Sequence, residues 1–361
     1  MSGPAPGTAR AAATTDVVCL GESMVTFLPS QPGRLADVPS FERGIGGAES
    51  NVACALAAAG HRAAWVGRVG ADGFGDHLVE TIAGYGVDTS AVRRDPGRPT
   101  GIYFRTAADR GAGAHEVAYY RAGSAASAMS PDNVPYDALF AGRVLHLSGI
   151  TAALSADCLA LLRDLTAPRA GRPLVSFDVN HRPRLWRNGG ADASVLLDLA
   201  RGADLVFVGE DEAEEAWGIA GAEAIRAALP EPSVVVVKRG SAGATVFSGP
   251  GPGPRSVGFG LDAVTVVPAL RVDVVAAVGA GDAFAAGFLS ATLRGLPVRD
   301  RVRHGHLMAA AVLTVPGDLT DPPSRAHADR LAALDASTWG RLRLGPGWTA
   351  ADRAPEEVRT P

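Results

Sequence analysis

The residues best suited to chemistry form one run, Val278-Gly279-Ala280-Gly281-Asp282-Ala283-Phe284. Phe284, Phe288 and Leu289 follow at helical spacing and Gly295 closes the run, which predicts a loop entering a helix. The first N–H groups of a helix have no internal partners and lie at the positive end of its dipole, so they suit an anion. Gly279 and Gly281 let phosphate oxygens approach the backbone closely. Asp282, a carboxylate in the first turn, is placed to take a proton from an attacking hydroxyl. This chemistry is phosphoryl transfer. A Gly-rich loop before an acid-capped helix would read the same way, and the stretch alone leaves the two even.

Other polar residues follow predicted strands: Asn180, Arg182, Glu212 and Lys238. Ligands of open α/β sheets gather at the carboxyl ends of the strands, so this shared placement argues for one composite site. Singly, each has a plainer reading as a loop hydrogen-bonder, a helix start or a surface charge. Lys238 is the one lysine among 34 basic residues. A lysine kept against that bias suggests a place for a compact ammonium.

The elements that must position these groups alternate. Val17 to Leu20 predicts a buried strand. Gly46-Gly47-Ala48-Glu49-Ser50-Asn51 leads into a helix over Val52 to Ala59, stopped by Gly60. Ala63 to Val69 predicts a strand and Phe74 to Tyr85 a helix, and this alternation implies a parallel sheet with covering helices. It breaks at residues 97–122, where Thr100 to Thr106 and Glu116 to Arg121 read as a hairpin around Ala107 to His115. A hairpin inserted there, carrying Tyr103, Tyr119, Tyr120 and Arg121, is a candidate lid. Strands then follow at Arg143 to Leu147, Leu174 to Asp178, Leu205 to Val208, Val234 to Lys238 and Ala244 to Phe247, with helices at Ser155 to Leu165 and Ala191 to Ala200. Residues 249–260 read as a Gly/Pro loop, and His304 to Leu313 as a late helix. Residues 1–15 predict a disordered tail, 16–335 the main domain, and 336–361 a loosely attached segment.

With 361 residues, 47% of them apolar and 20% charged, the chain has a globular composition. A net charge of −4 leaves no basic excess for a nucleic-acid backbone. No apolar run approaches the roughly 20 residues of a membrane helix, and no signal design opens the chain, so a cytoplasmic protein is expected. Cys19, Cys54 and Cys158 lie apart in apolar contexts and read as buried reduced thiols. No Gly-Lys dipeptide occurs, which excludes a P-loop, and Gly279-Ala280-Gly281 lies too late for a dinucleotide fingerprint. His304 and His306 lack further ligands for zinc.

Two segments in this order, Gly46-Gly47-Ala48-Glu49-Ser50-Asn51-Val52-Ala53 and Gly279-Ala280-Gly281-Asp282-Ala283-Phe284, resemble the PfkB, or ribokinase-like, carbohydrate kinase family. Tyr119 to Ser127, Leu145 to Thr151, and Asp178-Val179-Asn180-His181-Arg182 with Leu185-Trp186 resemble its 2-keto-3-deoxygluconate kinases. The resemblance spans roughly residues 16–320. It implies a three-layer α/β sandwich, with a mostly parallel sheet of eight or nine strands flanked by helices. A small β-lid would come from about 24–45 and 97–122. It implies ATP and Mg²⁺, and an assembly of at least a dimer. Asp282 would be the base, and Gly279, Ala280 and Gly281 the anion hole. Gly46, Gly47 and Asn51 would bind sugar hydroxyls, while Tyr103, Tyr119, Arg121 and Arg182 would face the keto-acid end, where a guanidinium fork suits a carboxylate. Lys238, Gly240, Gly243 and His306 would lie on the nucleotide side, and Glu212 at the metal. Two departures stand out. Ala276 and Ala277 replace an Asp-Thr pair whose Asp helps hold a monovalent cation, which puts activation by such an ion in question. Asp273, three residues before Ala276, could compensate only in a rearranged loop. The Asn of Asn-x-x-Glu is Gly209.

Overall fold

The computed structural model describes residues 15–31, 33–106, 117–188, 192–249 and 263–350. The expected tail before residue 15, the hairpin loop at 107–115, the Gly/Pro loop from 250 and the stretch from 351 lie outside the described residues.

Sixteen strands are described. In chain order they are β1 (Thr15–Leu20), β2 (Met24–Pro29), β3 (Phe41–Gly46), β4 (Ala63–Val66), β5 (Arg68–Gly70), β6 (Arg93–Asp95), β7 (Ile102–Arg105) and β8 (Val117–Tyr120). They continue with β9 (Gly142–Ser148), β10 (Leu174–Asp178), β11 (Leu205–Gly209), β12 (Val234–Lys238), β13 (Ala244–Ser248), β14 (Ala263–Val267), β15 (Arg271–Val272) and β16 (Arg343–Leu344). The main sheet has eight strands in the order β14-β13-β12-β11-β10-β9-β1-β4, parallel from β12 to β4 and antiparallel at β13 and β14.

Side chains of these strands alternate between two apolar layers. Val17, Cys19, Val234 and Val236 pack on the side of helices Ala48–Ala58, Ala280–Leu293 and Val298–Leu313. Val18, Leu20, Val235 and Val237 pack on the side of helices Ala156–Thr166 and Val195–Arg201. Burial on both faces explains the near-continuous Val runs, and it makes the three-layer α/β sandwich. All three cysteines are free and buried.

The lid is a second, four-stranded sheet in the order β3-β2-β7-β8. Phe27, Phe41 and Phe104 pack within it, with Phe27 stacked on Phe104 at 4.7 Å between centroids.

Two expectations change. The strand expected over Ala63 to Val69 is broken at Gly67, where any side chain would collide with Trp65, and β5 leaves the main sheet to pair with β6. The segment from 336 is not loose as far as residue 350. Helix Ala336–Arg341 places Trp339, 1% exposed, in the core, where its indole N–H donates to Pro268 O at 3.0 Å. β16 pairs with β15, and Leu342, Leu344 and Trp348 are buried. The burial of these large apolar groups outweighs the polarity of their neighbours.

Candidate active site

Helix Ala280–Leu293 begins at Gly279, which adopts φ 76°. That left-handed conformation favours glycine, and a Cβ there would also press on Asp318 O at 2.7 Å. No side chain caps this helix, whereas Asp72 and Ser155 cap the Gly73–Gly84 and Ala156–Thr166 helices. Its first N–H groups are therefore left to an external acceptor.

Two cavities meet at this helix start. One, of about 510 Å³, is lined by Gly46, Gly47, Asn51, Tyr103, Tyr119, Arg121, Asn180, Arg182, Gly279 and Asp282. The other, of about 810 Å³, is lined by Lys238, Gly240, Gly243, Ala280, Gly281 and His306, with Phe284 and Leu313 among its apolar walls. Thus all the expected sugar-side residues share the first cavity, and Lys238, Gly240, Gly243, Gly281 and His306 of the expected nucleotide side share the second, while Gly279 lines the first. Gly46 and Gly47 must be bare, because a side chain would collide with the Tyr103 hydroxyl at one and the Glu22 backbone at the other.

Asp282 lies at the junction. Its Oδ2 accepts from Asn51 Nδ2 at 2.9 Å. Burial raises its pKa to about 7; Asp178 and Asp318 add to the rise, while the Asn51 hydrogen bond and Arg182 oppose it. A carboxyl group titrating there is near the working range of a general base. Asn51 Oδ1 and Asn180 Oδ1 are buried acceptors with no protein donor, and both residues line the first cavity. Hydroxyl groups of a ligand would satisfy them.

The two arginines differ. Arg121 is in ion-pair contact with buried Glu22, whose Oε1 also accepts from Ser124 Oγ at 2.6 Å. Its Nε is buried without a hydrogen-bond partner. Arg182 is half exposed, donates to His181 O at 3.1 Å, and lies 3.7 Å from Glu212. The sequence gives no hint of Glu22 or Asp318. Asp318 accepts from Arg105 at 2.6 Å and from the Tyr103 hydroxyl at 3.3 Å, so it joins lid strand β7 to the turn over Gly279.

On the nucleotide side, His306 is buried, lies edge-on to Phe284 at 5.2 Å, and is held neutral by burial, its pKa lowered to about 4. His304 instead pairs with Asp329 at 3.1 Å, away from this cavity. Asp273 is bound to Arg343 at 2.5 Å, which ties it to β16.

Glu212 Oε2 accepts the Gly209 N–H at 2.7 Å and caps helix Glu210–Trp217, which leaves Oε1 facing Arg182. Among the described residues no three His, Cys, Asp or Glu side chains converge as a metal site. A single carboxylate oxygen, Glu212 Oε1, would suit a Mg²⁺ carried in on nucleotide phosphates with its own waters.

The sequence and the fold that carry these cavities match known proteins. Residues 14–325 match the pfkB family of carbohydrate kinases. The chain belongs to this family. It is similar to a 2-dehydro-3-deoxygluconokinase of Bacillus subtilis (strain 168), 37% identical over 86% of this chain and 93% of that one. It is also similar to fructokinase-1 of Zea mays, 31% identical over 76% of this chain and 81% of the relative. The solved 2-dehydro-3-deoxygluconokinase of Thermotoga maritima superposes with a TM-score of 0.73 at 26% identity, covering 89% of this chain and 98% of that one. The pfkB chain is thus a phosphotransferase with an alcohol group as acceptor. Among the described residues no helix is long and apolar enough to cross a membrane.

Proposed function

We propose that this kinase phosphorylates the terminal (C6) hydroxyl of 2-keto-3-deoxy-D-gluconate, with Asp282 as the base. The observation that carries this reading is the position of Asp282, with its raised pKa, where the two cavities meet. In this mechanism the sugar lies in the Asn51 and Asn180 cavity, and Asp282 takes the proton of the hydroxyl as its oxygen attacks the γ-phosphorus of ATP. The backbone N–H groups from Gly279, Ala280 and Gly281 hold the charge on the transferred oxygens. A Mg²⁺ held by the nucleotide, with Glu212 behind it, would neutralise charge on the β- and γ-phosphates. Gly240 and Gly243 shape the turn under the nucleotide, and His306 with Phe284 offers an apolar wall to the base. Arg182 and the unpartnered Nε of Arg121 favour a substrate carboxylate, with Tyr103 and Tyr119 beside them. The same reading carries a cytoplasmic location and a homo-oligomer of at least two copies.

A second reading has its own support. Glu22 already neutralises Arg121, which suits a neutral sugar such as fructose. ADP release measured across a panel of sugars and sugar acids separates the two. Turnover on the keto acid, well above that on fructose, is expected. Turnover on fructose alone would sink the first reading, and tight sugar binding with no ADP release would mark a regulator that has lost activity. Asp282→Asn, in the same assay, should cut turnover by roughly 10² or more.

A further inference from the structure

The chain's one lysine lines the second cavity, beside the helix start where the two cavities meet. Lys238 ends β12, and its Nζ donates to both oxygens of Asp178, at 3.0 and 2.9 Å. Asp178 ends β10 and is 2% exposed. Its Oδ1 also accepts the N–H of Asn180 at 3.1 Å. Asn180 stands at φ 42°, a strained conformation for a non-glycine residue, and its side chain lines the sugar cavity. One buried carboxylate therefore grips the sugar side through Asn180 and the nucleotide side through Lys238.

On its other side Lys238 faces the anion hole. A Cβ built on Gly281 would lie 3.7 Å from Lys238 Nζ and would meet no other atom within 4 Å. An ammonium has three N–H donors. Two are taken by Asp178, and the third is left for the space beside Gly281. Burial works against the charged form, but Asp178 and Glu212 outweigh it and push the pKa up to about 12.

The residue type is informative. Among the described residues, arginine is the partner in several other buried or half-buried ion pairs: Arg68 with Asp95, Arg105 with Asp318, Arg172 with Asp204 and Arg294 with Asp329. A guanidinium is the better partner for a carboxylate, since it bonds both oxygens in one plane. If Lys238 served only to pair with Asp178, arginine would do the same work. A compact ammonium is needed where a third group must be reached at short range.

We infer that Lys238 is a catalytic residue whose ammonium touches the γ-phosphoryl group during transfer, and that Asp178 is the positioning residue that aims it. The inference rests on the kinase reading above. As the sugar oxygen bonds to the γ-phosphorus, the bond to the β,γ-bridging oxygen breaks and its electron pair stays on ADP, while the hydroxyl proton passes to Asp282. Lys238 forms no covalent bond. It holds the negative charge of the moving group, and Asp178 couples that grip to the seat of the sugar.

A chain with one lysine allows a direct test in the intact enzyme. Labelled with ¹³Cε-lysine, it should give one side-chain signal. That signal should move with ADP plus aluminium fluoride, a mimic of the transferred group, and move much less with ADP alone. No difference between the two would overturn the inference. In kinetics, Lys238→Met should lower kcat roughly 10²–10³-fold, the range for an oxyanion donor, while KM for the sugar changes about twofold or less. The double variant with Asp178→Asn removes the stranded carboxylate and should show the same low kcat in a stable fold. Lys238→Arg should fail to restore kcat; restoration by arginine would reduce Lys238 to a structural partner. Retained kcat in Lys238→Met, with turnover lost in Asp282→Asn, would refute this inference and leave the kinase reading standing.

Discussion

The pH dependence of the reaction is the sharpest consequence of the Asp282 environment. In the mechanism proposed above Asp282 takes a proton only when ionised, and its pKa is raised from 3.8 to about 7, chiefly by burial. At pH 6 roughly a tenth of the free enzyme would be ionised, and at pH 5 roughly a hundredth, so kcat/KM for the sugar should fall about tenfold per unit below 7. The assay is coupled ADP release from pH 5 to 8.5 at saturating ATP, with the coupling enzymes shown to be non-limiting at each pH. Asn51 stabilises the ionised form through its 2.9 Å hydrogen bond, so Asn51→Ala should move the limb to higher pH. Stability carries the opposite sign. The folded state holds this proton more tightly than the unfolded one, so the contribution of Asp282 is favourable below about pH 4 and is lost as pH rises through 7. Asp282→Asn should therefore unfold at higher denaturant than the parent at pH 8. A rate profile flat down to pH 5, together with an Asp282→Asn chain no more stable at pH 8, would refute the argument.

Three other outcomes follow from the same geometry. Gly281→Ala places a methyl in ordinary contact with Lys238, so it should leave the denaturation midpoint nearly unchanged yet lower turnover at least tenfold, read by melting and by ADP release. Arg121→Ala should raise KM for a carboxylated substrate more than for a neutral one in parallel assays; equal losses would assign Arg121 to holding Glu22. Asp318→Ala strands the buried Arg105 and should cost about 3–5 kcal/mol in urea unfolding, the scale for breaking a buried pair.

The helix start at Gly279 and the glycine-led helix entry at Gly46 to Asn51 were legible in the sequence because their signals are local. Glycine, small residue and acid in one turn limit what the backbone can do. The alternation of apolar runs likewise exposed the parallel sheet, since strands buried on both faces need them. Asp318 was not legible: its partner Arg105 lies 213 residues away, and only tertiary packing brings the two together. Glu22 reads as an ordinary polar residue after a strand until Arg121 and Ser124 close on it. The order of the C-terminal stretch was not legible either, because its strand is two residues long and its Gly and Arg content masks the burial of Trp339 and Trp348. The alternation of Leu342 and Leu344 was the available signal.

The pairing of β16 with β15 also ties a late part of the chain to the second cavity. Gly340 and Arg343 line that cavity, and β15 leads directly into the loop before Gly279. Trp339 and Leu342 anchor this stretch in the core, so a substitution at either would reach the cavity wall without lining it.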